Sequence, residues 1–218
     1  MNLSTNLPDI INLIVFFFIL SLVPFVAVMA TSFVKISVVL SLVRNALGVQ
    51  QIPPNVAING LSIILTLYVM APVGSQILDI VDKKDFKIEQ RATFKKNLAA
   101  AAEPYTKFLL DHTKQSHRQF FVDHANENWP KDSGLEVKDD SLFILLPAFT
   151  VSELTKAFEV GFLIYLPFVV IDLVISNILL ALGMMMVSPM TISLPFKLLL
   201  FVLLDGWTKL IQGLILSY

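Results

Sequence analysis

The sequence of 218 residues contains no cysteine, and only 15% of its residues are charged. The absence of cysteine excludes disulfides, thiolate metal sites and a cysteine nucleophile. A net charge of −1 gives no reason to expect nucleic acid, because proteins that bind it present a basic surface. With 56% hydrophobic residues, the chain is far more apolar than an ordinary water-soluble domain, and we expect it in or beside a membrane.

The common motifs of catalysis and nucleotide binding are also missing. No GxxxxGK[ST], GxGxxG, HExxH or GxSxG occurs in the sequence. The spacing of His112, His117 and His124 cannot bring two imidazoles to one zinc ion on a single helix, so we expect solvated surface histidines. The sequence predicts a protein that is not an enzyme and has no metal or cofactor.

The charged residues are concentrated in one stretch of the chain. Residues 79–140 hold 23 of the 33 charged residues and all three histidines. We therefore predict an all-α fold with about four long hydrophobic helices in membrane-type hairpins. A hydrophobic hairpin at 1–78 would be followed by a polar helical insert at 79–141 and a second hydrophobic hairpin at 142–218.

The first hairpin is indicated by two runs without charge. Ile10 to Val34 is long enough to cross about 30 Å of hydrocarbon as a helix, and Asn55 to Leu78 is long enough to return. A cleaved signal peptide is an alternative for the first run, although no Lys or Arg precedes it and the run is long. If Lys35 and Arg44 mark the cytoplasmic side, the amino terminus and the insert lie outside the cytoplasm.

Within the insert, Lys84 to Phe121 has few Pro or Gly residues and is predicted to be helical. Glu127 to Asp140 carries Trp129-Pro130 and Ser133-Gly134 and is predicted to be a loop. This composition favours a small helical layer outside the membrane over a separate catalytic domain.

The second hairpin is predicted from a helix that begins near Ser152 and runs to Leu182, and a fourth helix from Phe196 to about Leu216. Gly183 is well placed to end the first of these, and Pro189 and Pro195 discourage an earlier restart. The tip of the hairpin then presents Met184, Met185 and Met186.

Two interpretations of these methionines compete. Methionine fills gaps in irregular apolar cores, which is the simpler explanation. Three consecutive side chains, however, point in different directions and cannot all fill one groove. Repeated around a ring, such tips would form a deformable apolar constriction of the kind that gates by excluding water.

The charges within the apolar blocks are expected to face protein, water or an opposite charge, because each costs at least about 2.5 kcal/mol near the bilayer centre. Some have a partner one turn away: Lys156 with Glu153 or Glu159, and Asp205 with Lys209. The others would pair between helices or between subunits. A proton or ion path is the alternative, but scattered acids matched by lysines favour assembly. The charges that we expect to pair between helices or between subunits are Lys35, Glu153, Lys156, Glu159, Asp172, Lys197 and Asp205.

Two long stretches of the sequence carry a family resemblance. They are ATSFVKISVVLSLVRNALGVQQIPPN, from Ala30 to Asn55, and LLPAFTVSELTKAFEVGFLIYLPFVVIDLVISNILLALGMMMVSPMTISLPFKLLLFVLLDGW, from Leu145 to Trp207. On these residues the chain resembles the FliP/SctR family of type III secretion export-gate proteins, and its YscR injectisome branch in particular. Flagellar members commonly have two prolines where this chain has Ser188-Pro189.

The resemblance implies a homo-oligomeric ring, expected to be a pentamer, in the bacterial inner (cytoplasmic) membrane. With SctS- and SctT-type proteins the ring would form a portal for unfolded secreted proteins, near SctU- and SctV-type proteins and needle or inner-rod subunits. In the family, a methionine loop matching Met184, Met185 and Met186 forms a gasket across the portal. The assembled complex is held largely above the membrane, so hydrophobic runs counted as spans would instead be buried against neighbouring subunits. Hydropathy alone does not separate lipid from the interior of an oligomer.

Two other functions stay open at the level of sequence. One is an ion-coupled secondary transporter or ion channel with a site around Asp172 and the broken segment after it. The other is a passive membrane scaffold, which would need the interfacial charges but would tolerate changes to the methionines.

Overall fold

The computed structural model describes residues 7–49, 51–83, 91–130 and 138–218. All regular secondary structure in these ranges is helical, which confirms the predicted all-α class. The helices of the described ranges, in chain order, are α1 (Leu7–Met29), α2 (Phe33–Ala46), α3 (Asn55–Lys83), α4 (Arg91–His112), α5 (Gln115–Asn128), α6 (Leu142–Ala181), α7 (Pro189–Leu203) and α8 (Gly206–Leu216).

The 40-residue helix α6 organises the fold, since α2, α4, α5 and α7 all pack against it. Helix α2 faces it with Ile36, Val39, Leu40 and Val43, which follow the i, i+3, i+4, i+7 pattern of a helix with one apolar stripe. These side chains are at most 1% exposed. The short helix α2 is thus the centre of the main core, although it lies between two longer hydrophobic helices in sequence.

A second core attaches the polar insert to α6. Phe108 and Leu109 of α4 pack with Leu145 and Phe149 of α6. The hydroxyl of Tyr105 donates a hydrogen bond to the Ala30 carbonyl at 2.7 Å, which joins α4 to the connection between α1 and α2. The insert is therefore packed onto the hydrophobic helices along its α4 segment.

Several predicted helix boundaries were wrong. The run from Ile10 to Val34 is divided, because α1 ends at Met29 and residues 30–32 turn the chain into α2. Helix α6 begins at Leu142, ten residues before the predicted start at Ser152. The Ser152 hydroxyl donates to the carbonyl of Ala148, one turn earlier in the same helix. Ser152 therefore lies inside the helix and does not cap it.

The insert also differs from its predicted outline. The helix expected from Lys84 to Phe121 is broken at residues 113–114 into α4 and α5. Residues 84–90 and the predicted turn at Ser133-Gly134 lie outside the described residues. Helix α5 ends at Asn128, next to the Trp129-Pro130 pair that indicated a loop.

The fourth predicted helix, Phe196 to Leu216, begins earlier and is bent. Helix α7 starts at Pro189, because a proline in the first turn of a helix has no intrahelical N–H bond to lose. Asp205 takes a left-handed conformation with φ of 51°, and α8 leaves α7 at 60°. In the described residues, length and composition allow α3 and α6 to cross a membrane, and the bent pair α7–α8 could be a third span.

Candidate functional site

The methionine tip follows α6 through a Schellman C-cap. The backbone N–H of Met184 donates to the Leu179 carbonyl at 2.9 Å, and that of Gly183 donates to the Leu180 carbonyl at 3.0 Å. Gly183 has φ of 72°, a conformation that glycine adopts without strain. The end of the helix is therefore fixed by its backbone, and the three methionines follow directly after the cap.

The other end of the tip is set by Ser188 and Pro189. Ser188 is extended and is the N-cap residue of α7, and Pro189 is the first residue of that helix. The Ser188 carbonyl accepts a hydrogen bond from the Thr191 N–H at 3.2 Å. The turn between α6 and α7 is thus held at both ends.

The methionine side chains make little contact with the rest of the chain. Met184 is 44% exposed, Met185 82% and Met186 101%. Met190, on the other side of the turn, is 55% exposed. The simpler interpretation, that these side chains fill gaps, is therefore wrong for Met185 and Met186 within this chain.

An ion pair joins α6 to α7 between two and three helical turns from the tip. The Lys197 Nζ lies 2.6 Å from Asp172 Oδ2, and the Ser193 hydroxyl donates to Asp172 Oδ1 at 2.6 Å. Lys197 is 4% exposed and Ser193 is fully buried. Lys197 also donates to the carbonyl of Ala46, the last residue of α2, at 3.4 Å. A cation at that position is favourable, because the carbonyl end of a helix carries partial negative charge.

A second cluster of charges is buried between α2 and α6. Glu153 is 0% exposed and forms ion pairs with two lysines. The Lys156 Nζ lies 3.1 Å from one of its carboxylate oxygens, and the Lys35 Nζ lies 3.5 Å from the other. Lys156 further donates to the His112 carbonyl at 2.6 Å. Burial lowers the pKa of Lys35, the more enclosed of the two lysines, while the Glu153 carboxylate opposes that shift.

Tyr218 completes this cluster and was not singled out from the sequence. Its hydroxyl donates to the Glu153 carboxylate, and the Lys35 Nζ lies 3.6 Å from the centre of its ring. Burial raises the pKa of Tyr218. A single tyrosine beyond the last turn of a helix has no periodic pattern, so sequence reasoning had no basis for selecting it.

The remaining predicted charges lie at the surface. Glu159 pairs with Lys114 of the insert at 2.9 Å, with 58% and 37% of the side chains exposed. Asp205 accepts a hydrogen bond from the Thr208 hydroxyl at 2.9 Å. Within the described part of the chain, no ion pair joins Asp205 to Lys209, although the two stand one turn apart.

The expectation of solvated histidines was wrong for two of the three. His117 is half-buried, and its Nδ1 is hydrogen-bonded with the Ser152 hydroxyl at 2.8 Å. His112 packs against the rings of Phe108 and Tyr218. His124 is exposed. Over the ranges that the structure describes, no three His, Asp or Glu residues are grouped in a way that could hold a metal ion.

Large apolar side chains cover much of the outer surface of α3 and α6. Tyr68 and Leu67 of α3 are 66% exposed, and Phe162 and Leu163 of α6 are 63% and 65% exposed. A patch of this extent is characteristic of a protein interface or a membrane-facing surface. The isolated chain therefore presents an apolar surface that needs lipid or other protein subunits.

Known proteins resemble the chain over nearly its full length. The model of the FliP family matches residues 16–214. "Yop proteins translocation protein R" of Yersinia pestis is 62% identical over 98% of both chains. "Virulence protein YscR" of Salmonella typhimurium is 48% identical over 98% of this chain and 99% of its own. "Hypersensitivity response secretion protein HrcR" of Ralstonia nicotianae is 47% identical over 95% of this chain and 96% of its own.

Proposed function

The chain belongs to the FliP family, and on that premise we propose that it is a core pore-forming subunit of a bacterial type III secretion export apparatus. Relatives named for translocation, secretion and virulence support this role. The protein would be a structural component and not an enzyme. Energy for export would come from other components.

The subunit assembles with itself into a ring, which we expect to be a pentamer, and with SctS- and SctT-type proteins. The exposed aromatic and aliphatic side chains of α3 and α6 support such assembly, because no single copy of the chain covers them. SctU- and SctV-type proteins and needle or inner-rod subunits would contact the assembled complex. The complex lies in the bacterial inner membrane and is partly raised toward the periplasm. In the raised part, the apolar surface faces neighbouring subunits instead of lipid.

The tips formed by Met184, Met185 and Met186 line the portal and close it at rest. The observation that carries this proposal is the contrast between a backbone fixed at both ends and side chains that are almost free. A ring of such tips excludes water and ions because the constriction is apolar. Methionine side chains are unbranched and flexible, so the same constriction can yield to an unfolded polypeptide.

The buried ion pairs keep the tip in position relative to the rest of the subunit. Asp172 and Lys197 join the two arms of the hairpin, and Glu153 with Lys35 and Lys156 joins α6 to α2. These pairs hold the hairpin as a rigid unit, so the tip keeps a fixed position relative to the rest of the subunit. We assign these charges to assembly and not to transport.

The ion-coupled transporter or channel around Asp172 is the weaker alternative. Both carboxylate oxygens of Asp172 already have partners, Ser193 on one and Lys197 on the other. An ion would have to displace a lysine that is itself 4% exposed, which would leave a buried cation without its counter-ion.

The gasket is tested by replacing Met184, Met185 and Met186 with alanine in the assembled complex. We expect faster leakage of potassium and of a small anionic dye through the complex in proteoliposomes, with unchanged ring size in electron micrographs. Met29→Ala, on α1 and 39% exposed, is the matched control and should leave leakage at the wild-type rate. Wild-type leakage in the triple variant would exclude the gasket role, even if secretion were impaired.

A further inference from the structure

An apolar cavity opens at the bend between α7 and α8. It has a volume of about 330 Å³ and lies against α6. Its volume falls within the range of small-molecule sites, about 300–1,000 Å³. Its apolar lining suits an apolar ligand group. The side chains that the argument uses are Ile164, Phe168, Leu200, Phe201, Leu210 and Lys209.

Lys209 is the single charged residue among those that line this cavity. It is exposed, and across the described ranges no carboxylate lies within ion-pair distance of it. The residues on either side, from Phe196 to Leu216, are otherwise almost entirely apolar apart from Lys197 and Asp205. A lysine without a partner in such a segment indicates a functional site, with an anion as the expected partner.

We propose that this cavity binds an anionic phospholipid, with an acyl chain in the cavity and the phosphate on Lys209. The apolar lining matches the acyl chain, and the cation at the rim matches the headgroup charge. A phospholipid supplies both parts in one molecule. A protein partner would need to place a carboxylate beside a large apolar side chain, at the desolvation cost that charged groups carry in apolar surroundings.

The position of α8 supports a lipid as the occupant. Trp207 packs edge-on against Phe201 at 5.3 Å, and Lys209 follows it within one turn. Tryptophan and lysine are the residues that mark the boundary between hydrocarbon and headgroups. Leu210 and Leu214 are the buried side chains of this short helix and Lys209 is exposed, which fits a segment that lies along that boundary. The 60° bend turns α8 away from the direction of α7, as such a placement requires.

The site is independent of the proposed gasket, and lipid binding can be measured without export or leakage. The purified complex in mild detergent would be incubated with equal amounts of phosphatidylglycerol and phosphatidylcholine of the same acyl chains, and retained lipid counted by native mass spectrometry. We expect the complex to retain about five times as much phosphatidylglycerol as phosphatidylcholine, because one lysine strengthens anionic-lipid binding by about this factor. Lys209→Gln should abolish the preference, and Lys107→Gln, an exposed lysine on α4, should leave it intact.

A second pair of variants tests the acyl-chain cavity. Leu200→Trp and Leu204→Trp fill it from the α7 side and should reduce retention of both lipids. Leu204 is 52% exposed, so its variant folds even if the Leu200 variant does not. An undiminished preference in Lys209→Gln would overturn the proposal. A photo-crosslinker at Leu204 that gives only a covalent dimer of the chain, with no lipid adduct, would also overturn it by showing that a second copy covers the cavity.

Discussion

The Nζ of Lys197 lies 2.6 Å from Oδ2 of Asp172, and this pair joins the two arms of the α6–α7 hairpin that carries the methionine tip. The two partners differ in burial, since Lys197 is 4% exposed and Asp172 is 32% exposed. Removing the acid would leave an enclosed cation, whereas removing the lysine would leave an acid with access to solvent. The two substitutions are therefore not equivalent.

Asp172→Asn is expected to lower the free energy of unfolding by about 3 kcal/mol, because breaking a buried pair leaves an uncompensated charge. Thermal unfolding in detergent, followed by circular dichroism, measures this loss. The matched control is Glu159→Gln, which breaks the exposed pair with Lys114 and should cost less than about 1 kcal/mol. Equal losses in the two variants would show that burial of Lys197 does not matter. The double variant Asp172→Leu, Lys197→Met should recover much of the stability.

Tyr105 is expected to make stability fall at alkaline pH. Burial raises the pKa of its hydroxyl from 10.0 to about 12, so the folded state keeps a proton that the unfolded state releases. This contribution is complete below pH 10.0 and is lost as the pH rises toward about 12. At neutral pH, Tyr105→Phe should be less stable than wild type by about 1 kcal/mol, the contribution of a typical hydrogen bond, here the one to Ala30.

The comparison is made by denaturant unfolding of the two proteins across this pH range. The stability difference between them should shrink as the pH rises, because only the wild type loses the Tyr105 contribution. Other alkaline groups, including Tyr218 and Lys35, are common to both proteins and cancel. A difference that stays constant to about pH 12 would mean that Tyr105 titrates alike in the folded and unfolded states.

Much of the fold follows from the sequence, because charge and hydropathy vary over long stretches. The all-helical class, the apolar blocks and the turn at Gly183 depend on local properties of the chain. The bend at Asp205 was not predicted; Asp205 takes the left-handed conformation, and the next residue, Gly206, packs so closely on Phe201 that an added Cβ would lie 2.5 Å from the ring. The early start of α6 was missed because Ser152 resembles a helix cap but serves the interior of the helix.

The candidate site shows the same division between local and long-range information. Apolar surroundings alone indicate that Lys35, Asp172 and Lys197 need partners. The identity of each partner depends on how α2, α6 and α7 cross, which residue spacing does not reveal. Tyr218 is the clearest case, because it contacts Lys35, which lies near the other end of the chain, and Glu153, which is 65 residues earlier.

Gly161 is expected to be required for the contact between α6 and α2. A Cβ at this position would lie 2.3 Å from Cδ1 of Leu42, and also 3.2 Å from its Cβ, so rotation of the leucine side chain alone cannot relieve the overlap. Gly161→Ala should therefore destabilise the protein by about 1–3 kcal/mol, the usual cost of overpacking. Thermal unfolding in detergent checks the loss.

Gly60→Ala on α3 is the control for Gly161, because nothing lies within 4 Å of its added Cβ. That variant should gain up to about 1 kcal/mol from the higher helix propensity of alanine. The double variant Gly161→Ala, Leu42→Ala should be more stable than the sum of the two single losses predicts. If the losses of the two single variants add exactly, the destabilisation by Gly161→Ala does not arise from the contact with Leu42.

Gly183→Ala tests whether the backbone of the tip sets the position of the methionines. No atom lies within 4 Å of an added Cβ, so the substitution introduces no overlap and acts only through the φ of 72°. An alanine in that conformation costs about 1–2 kcal/mol, and the chain can avoid the cost by opening the Schellman cap. We expect a small loss in thermal stability but a clear increase in leakage of potassium through the reconstituted complex, because the three methionines would no longer meet. Gly183→Asn, which tolerates the left-handed conformation better, should leak less than the alanine variant. If both variants leak equally, the effect does not come from backbone conformation, and the side chains alone position the seal.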